Sequence, residues 1–308
     1  MRPEIIKFAN GIPVKAFVRS VGKYPYHWHD ALEIILVLKG SFNIRMGTED
    51  HLLYEGSIAV VNAGELHRME GNEQENQILF FQIDDRFYKS VLPDSKYSFI
   101  YCCSTYHEAE APEKYGKLKD YIARLAVILN EQTGVNRQKD AEHLLTALLA
   151  YLTDNFNYLR WGPGKAAFEE KQVERLRQMA EHINNSHSVN PGLKDLAAEV
   201  NISLYHLSHD IKNKFGYTFQ ELLFYSRIEQ AAKLLLSTDE RIIDIAMECG
   251  FSDSKYLIKH FRQNYKYSPS EFRKKYRTDA KTLASQTQYH EYPLSEAIKC
   301  IGISGGGK

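Results

Sequence analysis

The feature that most constrains the fold of this chain is a pattern that occurs twice in its C-terminal half. The stretch VNISLYHLSHDI at 200–211 and the stretch CGFSDSKYLIKHF at 249–261 place apolar residues in nearly the same order. A shift of 49 positions aligns the first halves of the two copies, and one inserted residue makes the shift 50 in the second halves. Each copy predicts a helix, a short turn and a second helix, so this region is expected to be all α-helical.

Two architectures remain open for a duplicated helical pattern. A plain helical bundle or a solenoid also shows periodic Leu and Ala, but a solenoid generally needs three or more stacked repeats. The short turns NIS at 201–203 and GFS at 250–252 favour helix-turn-helix units instead. In such a unit the outer face of the second helix is free to contact a partner.

Helix-start signals support this division. A hydroxyl side chain at an N-cap accepts a hydrogen bond from the free amides of the first turn, and we expect Ser203 and Ser252 to cap the second helix of each copy. A capping box follows each copy, in which the cap hydroxyl and a glutamate three residues later bond reciprocally. The two boxes are Thr218 with Glu221 and Ser268 with Glu271, the second carrying Pro269 at its first helical position.

A free helix face of this width suits the major groove of double-stranded DNA. The alternative is an ordinary solvated helix face, but the paired arrangement favours DNA. Residues 218–236 form one uninterrupted helical segment of about 28 Å, which can place two helices in successive major grooves about 34 Å apart. The predicted DNA-facing residues are Tyr205, His206, His209 and Lys212 in the first copy, and Ser254, Lys255, Lys259 and Arg262 in the second.

Residues 172–277 as a whole resemble the two-motif DNA-binding domain of AraC-type transcriptional regulators. The resemblance rests on the stretches LKDLAAEVNISLYHLS, RIEQAAKLLLSTDERIIDIAMECGFSDSKYLIKHFRQNY and SPSEFRKKYR. It implies a sequence-specific transcriptional regulator whose two second helices contact bases. Two positions depart from the family pattern: Ile211 stands where an aromatic residue is usual, and Lys266 stands where a helix-ending glycine is usual. A left-handed backbone at Lys266 would cost about 1 kcal/mol.

The first hundred residues show a different pattern, in which short β-branched and aromatic runs are separated by glycines. This pattern predicts a small β-sandwich or barrel. Within it, HWHDALEIILVLKG places His27, His29 and Glu33 at the spacing H-x-H-x3-E-x6-G, and His67 follows a later pair of strands. The spacing resembles the cupin motifs, although Asn62 and Gly71 depart from them. Because side chains alternate along a strand, three imidazoles and a carboxylate can converge inside such a barrel.

Two roles remain open for these four residues. They can hold a divalent transition metal, which would make the chain a cupin metalloenzyme with a helical scaffold attached. They can also line a pocket without a metal, and that is what the resemblance to sensor cupins fused to AraC-type domains implies. We predict the second role: His27, His29, Glu33 and His67 bind a small polar effector such as a sugar, without a cofactor, a resident metal or catalytic residues.

The expected organisation is α+β and multidomain. It consists of a cupin-like β-barrel over 1–110, a helical linker and dimerisation segment over 111–168, an all-α double helix-turn-helix domain over 169–278 and a tail over 279–308. The tail, which ends GISGGGK, is expected to be poorly ordered. Helical spacing over 114–132 and 138–156 predicts two amphipathic helices, and their leucines predict the face of a homodimer. These leucines are Leu125, Leu129, Leu144, Leu145, Leu148, Leu149 and Leu152.

Composition narrows the class of protein and its location. No apolar run approaches the roughly 20 residues of a membrane span, and the N-terminus lacks the order of a signal peptide, so no membrane partner and a cytoplasmic location are expected. Basic and acidic residues cancel at 39 each, but residues 1–110 carry 11 basic and 15 acidic residues, whereas residues 171–277 carry 17 and 13. The mildly basic helical region agrees with a nucleic-acid partner. The four cysteines show no C-x-x-C spacing and predict neither a zinc site nor a disulfide framework.

Overall fold

A computed structural model gives the architecture of the chain. It describes residues 4–8, 11–47, 49–72, 75–92, 100, 102–109, 111–131, 136–156, 197, 203, 205, 208, 218–277 and 287–302. The chain divides into two compact units, which we call the β unit and the helical unit. The β unit comprises Pro3–Pro93, Ile100–Asn157 and Lys281–Lys308, and the helical unit consists chiefly of Tyr158–Ala280.

The β unit is built on one antiparallel sheet that forms a nearly closed barrel, as predicted. Its strands are β1 Val14–His27, β2 Leu32–Lys39, β3 Ser41–Met46, β4 Glu49–Tyr54, β5 Ile58–Val61, β6 His67–Gly71, β7 Gln77–Ile83 and β8 Gln288–Tyr292. They are hydrogen-bonded in the order β4-β3-β6-β1-β7-β2-β5, and β8 pairs with β1. Gly40 ends the β2 run with a φ of 74°, a backbone conformation that glycine adopts without steric cost.

Strand β2 shows how the sequence pattern forms two hydrophobic cores. Its residues are apolar in succession rather than alternately, because both faces of the strand are buried. Ile34 and Leu36 pack into the core that the sheet shares with the helices, whereas Ile35 and Val37 pack into a core on the other face. Glu33 and Ile35 are two positions apart on the strand, so their side chains lie on the same face of β2, the one that carries Ile35 and Val37.

The helices of the β unit cover the first face of the sheet. They are α1 Asp85–Val91, α2 Ser104–His107, α3 Pro112–Asn130 and α4 Arg137–Phe156, with α9 Leu294–Ile301 added from the C-terminal segment. The two predicted amphipathic helices are therefore present as α3 and α4. All seven leucines proposed for a dimer face are buried in the core of their own unit, so the prediction that they form an exposed pairing surface is wrong. Their apolar stripe packs against the sheet instead.

The C-terminal segment also differs from the prediction. Residues 288–292 form β8 against β1, and residues 294–301 form α9, whose Ala297 is fully buried. The expectation of a poorly ordered tail is therefore wrong for residues 287–302. The glycines that suggested it begin only at Gly302, beyond the helix.

The helical unit contains the second copy of the duplicated pattern. Its described helices are α5 Phe219–Ser237, α6 Ile242–Glu248, α7 Ser254–Tyr265 and α8 Pro269–Tyr276. Both predicted capping boxes are present, at the starts of α5 and α8. The N-cap of α7 is Asp253, which accepts from Lys255 N at 2.9 Å, so the expectation of a Ser252 cap is wrong by one residue. Lys266 ends α7 with a φ of 64°, as the departure from glycine predicted.

The first copy lies largely outside the described residues. Of its few described residues, Ala197 is buried, and Ser203, Tyr205 and Ser208 are exposed. Across the described part of the chain, no helix has both the length and the apolar character needed to cross a bilayer.

Candidate functional site

Four predicted site residues of the β unit converge inside the barrel. His27 ends β1, His29 lies in the loop after it, Glu33 lies on β2 and His67 begins β6. His27 and His67 are direct cross-strand partners, with ring centroids 4.0 Å apart. One nitrogen from each of the three imidazoles, which we call the histidine cluster, lies within 4.8 Å of the others. The prediction that these residues meet is borne out by this geometry, whereas their role as an effector site remains a prediction.

The orientation of each imidazole is fixed by the backbone. The Nδ1 atoms of His27, His29 and His67 lie 3.0, 3.0 and 2.9 Å from the carbonyl oxygens of Pro25, Ala31 and Glu65. A carbonyl oxygen only accepts, so each Nδ1 carries the proton and donates. In the neutral ring, Nε2 then keeps its lone pair for a ligand. Within the described residues, Nε2 of His29 and of His67 has no hydrogen-bond partner.

Glu33 supplies a buried negative charge beside the histidine cluster. Its Oε2 accepts a hydrogen bond from Gln82 Nε2 at 2.8 Å and lies 3.6 Å from His29 Nε2. Its Oε1 lies 3.9 Å from His67 Nε2 and, within the same described part of the chain, accepts no hydrogen bond. A buried carboxylate with one fixed oxygen and one open oxygen is well placed to bind a ligand group beside the histidine cluster.

The protonation states follow from burial and from these neighbours. Burial alone would lower the pKa of His29 and raise the pKa of Glu33. The attraction between the two groups is stronger than this effect of burial. As a result, the pKa of His29 is raised and the pKa of Glu33 is lowered. Burial, followed by the other two imidazoles, holds the pKa of His67 well below its ordinary value. At neutral pH, Glu33 is therefore a carboxylate and His67 is a neutral imidazole.

Two further residues contribute to the site that the sequence did not single out. Glu4 precedes the barrel; its amide donates to Trp28 O at 2.8 Å, and its Oε2 accepts from the Tyr24 hydroxyl at 3.0 Å and lies 3.6 Å from His27 Nε2. Gln82 lies directly opposite Glu33 in the sheet. Neither has a local sequence signal, because each reaches the site through a contact distant in sequence. The ring of Tyr24 packs against the ring of His27 in a tilted arrangement, with ring centroids 4.4 Å apart.

The donor set fits a divalent transition metal as well as a polar organic molecule. Three imidazole nitrogens and a carboxylate oxygen are ligands that such ions prefer, and the Nδ1 contacts to carbonyls are the supporting bonds that orient metal-binding histidines. In the part of the chain that the structure describes, Nε2 of His29, Nε2 of His67 and Oε1 of Glu33 have no hydrogen-bond partner, so the four residues do not satisfy one another by hydrogen bonds. Buried polar atoms without partners are rare and call for a ligand or another explanation.

The outer face of α7 is the second candidate surface. Leu257, Phe261 and Tyr265 bury one side of this helix, and the other side is open to solvent. As predicted, Lys255, Lys259 and Arg262 are exposed, whereas Ser254 is only partly exposed. The helix carries no acidic side chain. Within the described residues, neither Lys255 nor Lys259 takes part in an ion pair, so both ammonium groups are available to an anionic partner. Tyr256, which is 50% exposed, shares this face and was not predicted.

The corresponding residues of the first copy are only partly described. Tyr205 is 74% exposed, in agreement with its predicted position on an outer face. His206, His209 and Lys212 lie outside the described residues. Their assignment to DNA therefore remains a prediction from the repeat.

Comparison with known families matches both parts of the chain. Residues 21–149 match the family model described as an AraC-like ligand binding domain, and residues 196–275 match the one described as a helix-turn-helix domain. The chain belongs to the AraC-type transcriptional regulators. A ligand-binding barrel and a helix-turn-helix DNA-binding domain are thus combined in one AraC-type chain.

Relatives that match most of the chain are named as HTH-type transcriptional regulators. The HTH-type transcriptional activator RhaS of Yersinia pseudotuberculosis is 26% identical over 263 residues, covering 81% of this chain and 89% of RhaS. The uncharacterized HTH-type transcriptional regulator YdeC of Bacillus subtilis is 23% identical over 273 residues, covering 85% and 92%. Among solved structures, ToxT from Vibrio cholerae O395 gives a TM-score of 0.45 at 12% identity, covering 86% of this chain and 98% of ToxT.

Proposed function

We propose that this AraC-type regulator binds a small polar effector at His27, His29, Glu33 and His67 and reads a specific DNA duplex with its two helix-turn-helix motifs. The observation that supports the effector site is a set of buried polar atoms that have no hydrogen-bond partner among the described residues: Nε2 of His29, Nε2 of His67 and Oε1 of Glu33. Such atoms gain hydrogen bonds or coordination when a ligand binds, and no internal hydrogen bond of these atoms has to be broken first.

The chemistry of the site favours a ligand rich in hydroxyl groups, such as a sugar. The neutral imidazole of His67 accepts a hydrogen bond from a hydroxyl group at Nε2, and the Glu33 carboxylate accepts such bonds more strongly because it is charged. A divalent transition ion is the second candidate for the same atoms, held by the histidine cluster and Glu33. When bound, it would supply a Lewis-acid centre for oxygen atoms of the effector.

The remaining parts of the proposal concern the whole chain. We assign the duplicated pattern, with the boundaries 169–278, to DNA binding, and the barrel over 1–110 with its helices to sensing. The protein acts in the cytoplasm as a homodimer without enzymatic turnover, and its pairing surface does not use the seven buried leucines of α3 and α4. The support for a non-enzymatic role is that the relatives named above are transcriptional regulators.

The DNA assignment is tested with duplexes that the wild-type protein selects from a random pool. Lys259→Ala and Lys255→Ala should each weaken binding to the selected duplex by about 1–3 kcal/mol if the lysine contacts a base edge. If the lysine contacts a phosphate, binding should weaken equally on all sequences and the salt dependence should become shallower. Lys114→Ala, which removes an exposed charge from the β unit, is the control. Unchanged affinity and unchanged sequence preference in both variants would contradict the assignment of α7.

The effector assignment is tested by a thermal-shift screen of sugars, other small polar metabolites and divalent transition ions. A ligand of the site should raise the melting temperature of the wild-type protein and leave His67→Gln unshifted. His143→Gln, at an exposed histidine of α4, is the matched control and should respond like the wild type. A ligand that shifts His67→Gln as strongly as the wild type binds elsewhere and would remove these residues from the effector site.

A further inference from the structure

The chain does not end with its DNA-binding unit, because residues beyond it return to the β unit. Strand β8 pairs with β1 in antiparallel register, from Val18 opposite Tyr292 to Lys23 opposite Gln288. Helix α9 then packs on α3, and it buries Ala297 completely in the core that the sheet shares with α3 and α4. Residues 287–302, which we call the latch, are therefore packed into the sheet and the core of the β unit.

Specific side-chain contacts hold the strand of the latch in place. Arg19 donates to Glu291 Oε1 from Nε at 3.1 Å and from Nη2 at 2.6 Å. The same guanidinium lies over the Tyr289 ring, 4.2 Å from its centroid. The Tyr292 hydroxyl donates to Glu75 Oε1 at 3.0 Å. These contacts define one register for the latch rather than a loose association.

The latch gives the helical unit a second covalent attachment to the β unit. Its first attachment follows α4, and its second is the stretch of ten residues, 277–286, between α8 and the latch. The twelve residue steps from Tyr276, the last residue of α8, to Gln288, the first residue of β8, span at most about 43 Å when fully extended. While the latch is docked, the end of α8 is therefore confined to that distance from the start of β8. A regulator attached at only one end has no such limit.

The latch binds the same strand that carries the candidate effector site. Strand β1 pairs with β7 over Val14–Arg19 and with β6 from Lys23 onward, and β8 spans the stretch between these two partners. The approach is close, since a Cβ placed on Gly22 would lie 3.1 Å from Cβ of Gln288. Tyr24 and His27 follow on β1 directly after the latched stretch. Docking of the latch thus restrains the segment that leads into the histidine cluster.

We infer that residues 287–302 form an intramolecular latch that couples the histidine cluster to the DNA-binding unit through strand β1. This inference rests on the proposed function for its biological meaning, since it connects the proposed effector site with the proposed DNA reader. Coupling is reciprocal: a state of β1 that holds the latch more tightly is also favoured by a docked latch. Effector binding at His27 and restraint of the helical unit then influence each other through β1 and the latch.

The first experiment compares Ala297→Asp with Cys300→Asp in the full-length protein, without ligand or DNA. Asp at the buried position should undock the latch, whereas Asp at the exposed position on the same helix should not. In Ala297→Asp, amide hydrogen exchange over Gln288–Tyr292 and over Ser20–His27 should become about tenfold faster. Faster exchange of β8 without any change in Ser20–His27 would overturn the link between the latch and the histidine cluster.

The second experiment keeps the latch docked and removes only the covalent connection. A protease site is placed within residues 281–286, and cut and uncut protein are compared with and without a duplex selected by the wild type. In uncut protein, the duplex should change the exchange of β8 amides by about fivefold or more, and in cut protein it should not. Equal responses in the two forms would overturn the coupling. A wild-type protein that selects no duplex would instead contradict the proposed function, and the exchange of Ser20–His27 in Ala297→Asp would then decide the latch.

Discussion

Gln82 donates from its side-chain nitrogen to Oε2 of Glu33 at 2.8 Å, and this bond fixes the carboxylate that lies beside His29 and His67. Both residues are buried, and they are direct partners across the β2–β7 ladder. Because one carboxylate oxygen is held by Gln82, the other is directed toward His67. Gln82 therefore acts on a ligand through Glu33 and is a positioning residue.

Gln82→Leu should weaken ligand binding at the histidine cluster without removing any ligand-contacting group. Loss of a supporting hydrogen bond typically costs 10–100-fold in metal affinity, so the Kd for Co²⁺, followed by its visible absorption, should rise by about that factor. The unsatisfied Glu33 oxygen should also lower the free energy of unfolding by about 1–3 kcal/mol.

Gln138→Leu is the control for this change, because Gln138 donates to Glu142 on the surface of α4. It should leave both quantities nearly unaltered. Co²⁺ binding and stability in Gln82→Leu equal to those of the wild type would contradict the positioning role. Absence of Co²⁺ binding in the wild type would remove the ion as a ligand, and the unfolding free energies would still test the hydrogen bond.

The parts of this structure that follow local rules were predictable from the sequence. The capping boxes of α5 and α8 and the left-handed Lys266 depend on residues a few positions apart, and each is present. The convergence of the three imidazoles with Glu33 was also predictable. His29 nevertheless lies beyond the end of β1, so strand alternation alone does not explain its position.

The parts that depend on contacts distant in sequence were not predictable. Gln82 meets Glu33 only through strand pairing, and the Glu4 carboxylate reaches His27 from a segment before β1 that is held by a hydrogen bond from the Glu4 amide to Trp28 O. The leucines of α4 correctly predicted a helix, but the surface against which they pack was predicted wrongly. An amphipathic stripe does not reveal which surface covers it. Strand β8 is short and polar, and its alternation carries no apolar face that would identify it as a strand.

Lys266→Gly should stabilise the helical unit. Lys266 has a φ of 64°, which places its Cβ close to the backbone, whereas glycine adopts this conformation without that cost. We expect a gain of about 1 kcal/mol in the free energy of unfolding measured by urea denaturation. Lys274→Gly, at an exposed position inside α8, should lose about 1 kcal/mol by helix propensity. Destabilisation by both changes would show that the Lys266 side chain contributes more than its backbone costs.

The buried His51 should make the β unit less stable in mild acid. Burial, the largest influence, lowers the pKa of His51 below its unfolded value of about 6.5. Its neutral form is therefore favoured in the folded state, and the associated stability is fully present above pH 6.5 and is lost as the pH falls below it. Urea unfolding of the wild type between pH 7.5 and 5.5 should show this loss, and His51→Gln should show a smaller one. His143→Gln is the control at an exposed position, and equal pH dependence in wild type and His51→Gln would contradict the assignment.

The start of α7 offers a test that separates two adjacent residues. Asp253 caps this helix by accepting from Lys255 N at 2.9 Å, whereas Ser252 is exposed and precedes the cap. Asp253→Ala should lower the free energy of unfolding of the helical unit by about 0.5–2 kcal/mol, the usual cost of losing an N-cap. Ser252→Ala should change it by much less. Because Lys255 is the second residue of α7, fraying in Asp253→Ala should also weaken binding to a selected duplex, and Asp253→Asn, which retains a capping oxygen, should restore both properties. A larger effect from Ser252→Ala than from Asp253→Ala would place the cap one residue earlier and contradict this helix start.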